Sequence, residues 1–235
     1  MTVRAVLLDL DDTLYDHAAT SRRATAATLA TEPALVAAGL DAVQAENVRQ
    51  LEELHHAVAT GHGWVDDARI ERWRRILVRF GGPPERATEL AMVYRANYHR
   101  NESAVDGAVE LVHALHARRV PLAIVSNNAR DEQVGKLERL GLSACFAALV
   151  VSADHGIAKP DPRLFEVALR EVGVAAAEAV HLGDAWENDV GGARAAGVRA
   201  VWFDRTGAPR EVPPDVAVIR SLRPTGAVVR VLLDG

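Results

Sequence analysis

Cysteine is almost missing from this chain. Cys145 stands alone among 235 residues, so no intramolecular disulfide can form. That fits a reducing compartment. Within Leu142-Ser143-Ala144-Cys145-Phe146 the thiol reads as a small buried hydrophobe. An excess of positive charge is missing too. Lys and Arg number 27 against 32 Asp and Glu, a net charge of -5, which gives no global attraction to a nucleic acid polymer or an anionic membrane. No stretch is long and apolar enough to span a bilayer. The apolar run near the N-terminus is short and Asp9 interrupts it, so no secretory signal is expected. The expected location is the cytoplasm. Internal repeats and low-complexity tracts are absent. What remains is an ordinary globular composition, long enough for one large domain or two unequal ones.

The first informative stretch is Val6-Leu7-Leu8-Asp9-Leu10-Asp11-Asp12-Thr13-Leu14. Val6 to Leu8 read as a strand buried on both faces, as in a parallel sheet covered by helices. Asp9 and Asp11 then fall at its carboxyl end, the edge where open α/β sheets bind ligands. Alternate strand residues point the same way, so both carboxylates can face one site if the chain is still extended at Asp11. Close carboxylates share a proton or hold a cation. A solvated acidic turn is the plain alternative for this stretch taken alone.

Residues 16–100 carry helical signals and no convincing strand. Residues 18–38 are Ala-rich, with a break expected at Thr31-Glu32-Pro33. Asp41 is the expected N-cap of a helix to about 56. Ile70, Trp73, Ile76, Leu77 and Phe80 follow helical spacing, and Gly81-Gly82-Pro83-Pro84 ends that run. Trp73 and Phe80 are expected in the core of this helical part. From Asp106 the rhythm becomes α/β. Strands are expected at 120–125, 147–151, 179–182, 198–203 and 216–219, with helices at 107–118, 130–140, from Lys159-Pro160-Asp161-Pro162 to 172, at 188–196 and at the C-terminus. Strands alternating with helices imply an α/β fold, a doubly wound, Rossmann-like parallel sheet. The expected division is an α/β core of residues 1–15 and 103–235 with a small α-helical cap of residues 16–102.

Polar residues follow the apolar part of four strands: Asp9 and Asp11, then Ser126 and Asn127, then Lys159, then Asp184 with Asn188 and Asp189 beyond. All can converge on one sheet edge. Two or three carboxylates with one Lys and one hydroxyl suit Mg²⁺ and a phosphoryl group, whose oxygens must be neutralised in transfer. A carboxylate can also be the nucleophile.

Four motifs in this order resemble the haloacid dehalogenase-like superfamily: Asp9-Leu10-Asp11-Asp12-Thr13-Leu14, Ile124-Val125-Ser126-Asn127, Lys159-Pro160-Asp161-Pro162, and Gly183-Asp184-Ala185-Trp186-Glu187-Asn188-Asp189. The resemblance covers the whole chain, and the position of the helical insert is similar to the branch with an α-helical cap. It implies a phosphatase acting on a small phosphorylated metabolite through an aspartyl phosphate, with Mg²⁺ as cofactor. Asp9 would be nucleophile and metal ligand. Asp11 would protonate the leaving oxygen, later deprotonate the attacking water, and offer its carbonyl to the metal. Ser126 and the Asn127 backbone N–H would hold phosphoryl oxygens, and Asp12 and Thr13 join the phosphate-binding group, Thr13 as support for Asp11. Lys159 would offset charge between nucleophile and phosphate. Asp184 would be the second carboxylate on the metal, and Asp189 would serve the metal site or orient Lys159. Family members that cleave carbon–halogen bonds lack an Asp at the position of Asp11, so phosphate chemistry is expected. A phosphomutase or phosphotransferase of the same fold, and a phospho-accepting signalling domain, are the alternatives.

Other residues have structural readings beside functional ones. His62 and Trp64, in Thr60-Gly61-His62-Gly63-Trp64, either meet the leaving group or belong to a plain helix connection. His17 is a hinge or a helix start, and Trp186 lines the pocket or packs under it. His55 and His56 point to different sides of a helix, and His113 and His116 lack acids at metal-site spacing; packed or surface roles are expected for all four. The sequence does not choose between monomer and homodimer.

Overall fold

The computed structural model describes residues 2–59, 65–207 and 209–234, with the backbone alone at 55–59. The chain divides into two compact units, Met1–Tyr15 with Ala104–Gly235, and Asp16–Ser103.

The first unit is built on a six-stranded parallel sheet. Its strands are β1 (Ala5–Leu8), β2 (Leu122–Ser126), β3 (Ala148–Val151), β4 (Ala179–Gly183), β5 (Arg199–Phe203) and β6 (Ala217–Ile219). They lie in the order β3-β2-β1-β4-β5-β6, and every pair is parallel. All residues of β1, β2 and β4 are buried. That is why these strands are continuous apolar runs rather than alternating ones: helices cover both faces. β1 is central, with Leu7 opposite Ala123 of β2 on one side and His181 of β4 on the other. Successive strands after β1 run outward to β3; the chain then returns to β4 and runs outward the other way. The topological switch point therefore lies between β1 and β4, where open sheets of this kind part to form a ligand crevice.

The second unit is helical: α1 (His17–Leu29), α2 (Pro33–Ala38), α3 (Leu40–Ala59), α4 (Val65–Arg79) and α5 (Ala87–Arg100). The break near Pro33 falls where expected, because Pro33 opens α2 at the position where a missing N–H costs nothing. Asp41 is not the N-cap of α3; the helix begins at Leu40, and Asp41 sits in its first turn, where a carboxylate still suits the helix dipole. α1 packs on α5, and α4 on both α3 and α5. Trp73 is fully buried and its ring lies 5.4 Å from that of Tyr94, whereas Phe80 is only half-buried. His17 starts α1, and its Nδ1 lies 2.6 Å from the Tyr98 hydroxyl.

Back in the sheet unit, the helices are α6 (Ala108–His116), α7 (Arg130–Arg139), α8 (Ser152–His155), α9 (Pro162–Val172), α10 (Gly192–Ala195) and α11 (Thr225–Leu233). Cys145 is buried as expected, with its Sγ 3.8 Å from His113 Nδ1 and its carbonyl 3.3 Å from His116 Nδ1. Both histidines thus pack against this loop. The regular helix expected at 188–196 is replaced by a π-helical turn, Trp186–Gly191, leading into α10. Close approach shapes this turn. A Cβ on Gly192 would lie 2.6 Å from Phe165 Cε2 and 3.1 Å from Pro160 Cα, so only glycine lets α10 sit against α9 and the Lys159–Pro160 segment. Among the described residues no helix is long and apolar enough to cross a membrane.

Phe165 joins this core to the sheet. It is fully buried and meets the His181 ring edge-on at 5.0 Å. Phe165→Ala is expected to cost about 3–5 kcal/mol, the cost of a large-to-small change in a packed core. Urea unfolding of the variant beside the parent checks this, and an unchanged midpoint would contradict it.

Candidate active site

Asp9 is the first residue beyond β1, and its backbone N–H continues the ladder by donating to the Leu182 carbonyl at 2.9 Å. The carboxylate is buried, 5% exposed. Lys159 Nζ donates to Asp9 Oδ1 at 2.6 Å and to Asp189 Oδ1 at 2.6 Å. A buried ammonium needs such partners. Asn127, just past β2, sets where Lys159 stands: its side-chain oxygen accepts the Lys159 N–H at 2.7 Å, and its side-chain nitrogen donates to the Lys159 carbonyl at 2.9 Å. The π-turn brings Asp189 back under Ala185, whose N–H donates to Asp189 Oδ2 at 2.9 Å, while His181 Nε2 lies 3.2 Å from Oδ1. Both oxygens of Asp189 are thus engaged by the protein itself.

Asp184 follows β4 directly. Its N–H donates to Thr13 Oγ1 at 3.1 Å, and that hydroxyl lies 3.2 Å from Asp184 Oδ1. Thr13, expected to support Asp11, supports Asp184 instead, because the turn after Leu10 carries it toward β4. The indole N–H of Trp202 donates to the Asp184 carbonyl at 2.8 Å, and Trp186 packs edge-on against Trp202 at 5.0 Å. Asp12 has a left-handed backbone, φ 63°, and its carboxylate accepts from Arg205 at 2.9 Å. Asp11 lies beyond the strand. Its Oδ1 accepts from Lys136 Nζ at 2.6 Å, and its Oδ2 from Gln133 Nε2 at 2.9 Å and Asn128 Nδ2 at 3.3 Å. Gln133 Nε2 also donates to Ser126 Oγ. His62 and Trp64 lie outside the described residues.

Oxygen atoms of Asp9, Asp184 and Asp189 all fall within 4.8 Å of one another. One ammonium does not balance three carboxylates. Burial pushes the Asp9 carboxyl up, Lys159 opposes this, and the charges of Asp189 and Asp184 add to it, for a net rise well above the usual range. Burial, then the charges of Asp189 and Asp12, push Asp184 up to about 7. Burial also works against ionisation of Asp189, but Lys159 and His181 outweigh it and hold that carboxyl well below its usual range. The imbalance therefore rests on Asp9 and Asp184. Hard oxygen donors with unmet negative charge suit a divalent cation such as Mg²⁺, so the donor set fits one.

Sequence reasoning brought out Asp9, Asp11, Ser126, Asn127, Lys159, Asp184 and Asp189, and these lie at the carboxyl ends of β1, β2 and β4 or in the segments that follow β1, β3 and β4. It missed Gln133, Lys136, Asn128, His181 and Arg205. A signal existed for two of them. Gln133, Lys136, Leu137 and Leu140 recur at i, i+3, i+4 and i+7, which places two polar residues on the inward stripe of α7. His181 sits inside the apolar run of β4, where its type is unexpected. Arg205 had no local signal.

Gly183 is the tightest point of the site. A Cβ there would lie 2.3 Å from Asp189 Cγ. Gly183→Ala is expected to displace Asp189 and to cost about 1–3 kcal/mol by overpacking. Equilibrium unfolding in urea measures it, and parental stability would refute the close approach.

A family model of haloacid dehalogenase-like hydrolases matches residues 3–197. The chain is 36% identical to a phosphoserine phosphatase of Thermus thermophilus, the match covering 92% of this chain and 95% of that one. It is 31% identical to a glyceraldehyde 3-phosphate phosphatase of Methanopyrus kandleri, over 86% and 84% of the two chains. Among solved structures, YfnB of Bacillus subtilis matches with a TM-score of 0.76 at 23% identity, covering 97% of this chain and 99% of that one. A 2-haloacid dehalogenase of Pseudomonas syringae matches with a TM-score of 0.65 at 28% identity, over 97% and 99%. With the strand order, the four motifs in sequence and the acids at the switch point, these matches establish that the chain belongs to the haloacid dehalogenase-like hydrolases.

Proposed function

We propose that this hydrolase is a Mg²⁺-dependent phosphatase that cleaves a small phosphomonoester through an aspartyl phosphate on Asp9. The observation that carries the reading is Lys159 Nζ bridging Asp9 and Asp189 at 2.6 Å each, beside Asp184 and in reach of the same sheet edge as Ser126. Asp11 favours phosphate over halide chemistry, since a halide leaves without a proton whereas an alkoxide needs one. The phosphatase names of the 36% and 31% identical relatives support the same choice.

In this reading an oxygen of Asp9 attacks phosphorus as the ester bond breaks, and Asp11 gives its proton to the departing oxygen. Water then attacks phosphorus, losing a proton to Asp11, and Asp9 is released. Ser126 and the Asn127 N–H hold phosphoryl oxygens. Lys159 offsets charge between nucleophile and phosphate, and Asp189 keeps Lys159 in place. Asp9, Asp184 and the Asp11 carbonyl would hold Mg²⁺, which would supply neutralisation of phosphoryl charge. The insertion of Asp16–Ser103 between the first two motifs supports reading that unit as a cap that selects the substrate.

Phosphate release from a panel including O-phosphoserine and glyceraldehyde 3-phosphate tests this, with Mg²⁺ or EDTA. Turnover is expected only with metal, and Asp9→Asn is expected to lose at least about a thousandfold. Mg²⁺ should also raise the melting temperature of the parent but not of Asp184→Asn. Halide release from a 2-haloacid, with no phosphate release from any ester, would overturn the reading.

A further inference from the structure

Helix α7 carries two polar side chains that the reaction above leaves without a task. Gln133 is fully buried and Lys136 is 3% exposed. They stand one turn apart on the same face. Lys136 Nζ donates to one oxygen of Asp11, and Gln133 Nε2 donates to the other. Asn128 Nδ2 adds a third bond to that second oxygen. With both oxygens held, the carboxylate plane is set by the protein. The Asp11 side chain itself remains 25% exposed while the Lys136 side chain is 4% exposed, so the acid is reachable from a side on which its holder is not. The ammonium also lies 5.1 Å from the centre of the buried Tyr15 ring, a second favourable contact for its charge. Gln133 reaches Ser126 Oγ with the same nitrogen and so ties the acid to the hydroxyl that meets the phosphoryl group.

We propose that Gln133 and Lys136 are positioning residues that aim Asp11 and stabilise its anion, so that they govern protonation of the leaving group. The proposal rests on the phosphatase reading. As the Asp9–phosphorus bond forms and the ester P–O bond breaks, the proton on Asp11 moves to the departing oxygen and leaves a carboxylate. The fixed ammonium and amide donors meet that new charge without having to move, which is what makes prearranged dipoles effective. In the second half, water loses its proton to Asp11 as its oxygen bonds phosphorus and the Asp9–phosphorus bond breaks. The same donors keep the carboxylate aimed at that water.

A difference between leaving groups separates this role from a merely structural one. A p-nitrophenolate leaves without a proton, whereas an alkoxide needs one. Wild type, Lys136→Met, Lys136→Arg and Gln133→Met are compared on p-nitrophenyl phosphate and on the alkyl phosphomonoester that wild type turns over fastest. For Lys136→Met, kcat/KM, which covers only the steps up to departure of the leaving group, is expected to fall at least about tenfold further on the alkyl ester than on p-nitrophenyl phosphate. Lys136→Arg should recover part of the difference, and Gln133→Met should show it with the same sign. Circular dichroism establishes folding, and if Lys136→Met does not fold, Gln133→Met carries the test. Equal losses on both esters, or none, would overturn the proposal. Asp9→Asn and Asp11→Asn run alongside: Asp9→Asn should fail on both esters, and Asp11→Asn should lower kcat/KM chiefly on the alkyl ester while lowering kcat on both. If those two controls behave otherwise, it is the phosphatase reading that fails.

Discussion

An ammonium held away from water between two carboxylates is the constraint around which the sheet edge is arranged. Lys159 is 5% exposed, and both Asp9 and Asp189 meet it at 2.6 Å. Each of the three would be costly to bury alone, and removing one partner from such a group costs about 3–5 kcal/mol. The arrangement holds because the backbone delivers every member without freedom to drift. Asp9 is fixed by the β1–β4 ladder, Lys159 by the two-point grip of Asn127, and Asp189 by the π-turn and by the N–H of Ala185 just before that turn.

The sheet order explains why these members can meet at all. Asp9 and Asp184 follow neighbouring strands on either side of the switch point, where open sheets of this kind part. Two glycines keep the space that the charged groups need. Gly183 leaves room for Asp189, and Gly192 lets α10 approach the Lys159–Pro160 segment. The charge left over after Lys159 is satisfied sits on Asp9 and Asp184, the two carboxylates suited to a cation; the third, Asp189, is already engaged. Asp9 and Asp189 both hold the lysine, but Asp189 has both oxygens engaged, whereas Asp9 meets the lysine through Oδ1.

A second polar group stands apart from the first. Asp11 meets Lys136, Gln133 and Asn128, whereas Asp9 meets Lys159. Two carboxylates two residues apart are given different surroundings, one enclosed and one still partly open. Unlike environments are how a pair of similar acids comes to perform different tasks.

The sequence by itself determined the parallel α/β class, the place of the helical insertion, the ends of most elements and the main acids and lysine. These are local properties: apolar runs of strand length, helical spacing, Gly and Pro punctuation, and polar residues at strand ends. Tertiary structure alone decided who pairs with whom. Thr13 turned to Asp184 rather than Asp11, Asp12 met Arg205 across 193 residues, and Asp11 found Lys136 across 125. No periodicity encodes such distances in the chain. The inward stripe of α7 was visible as a pattern, but its polar members had no meaning until the sheet brought the end of β1 beside it. Likewise the π-turn at Trp186–Gly191 follows from the space that Asp189, Gly183 and Gly192 share, a packing condition that exists only once the strands are side by side.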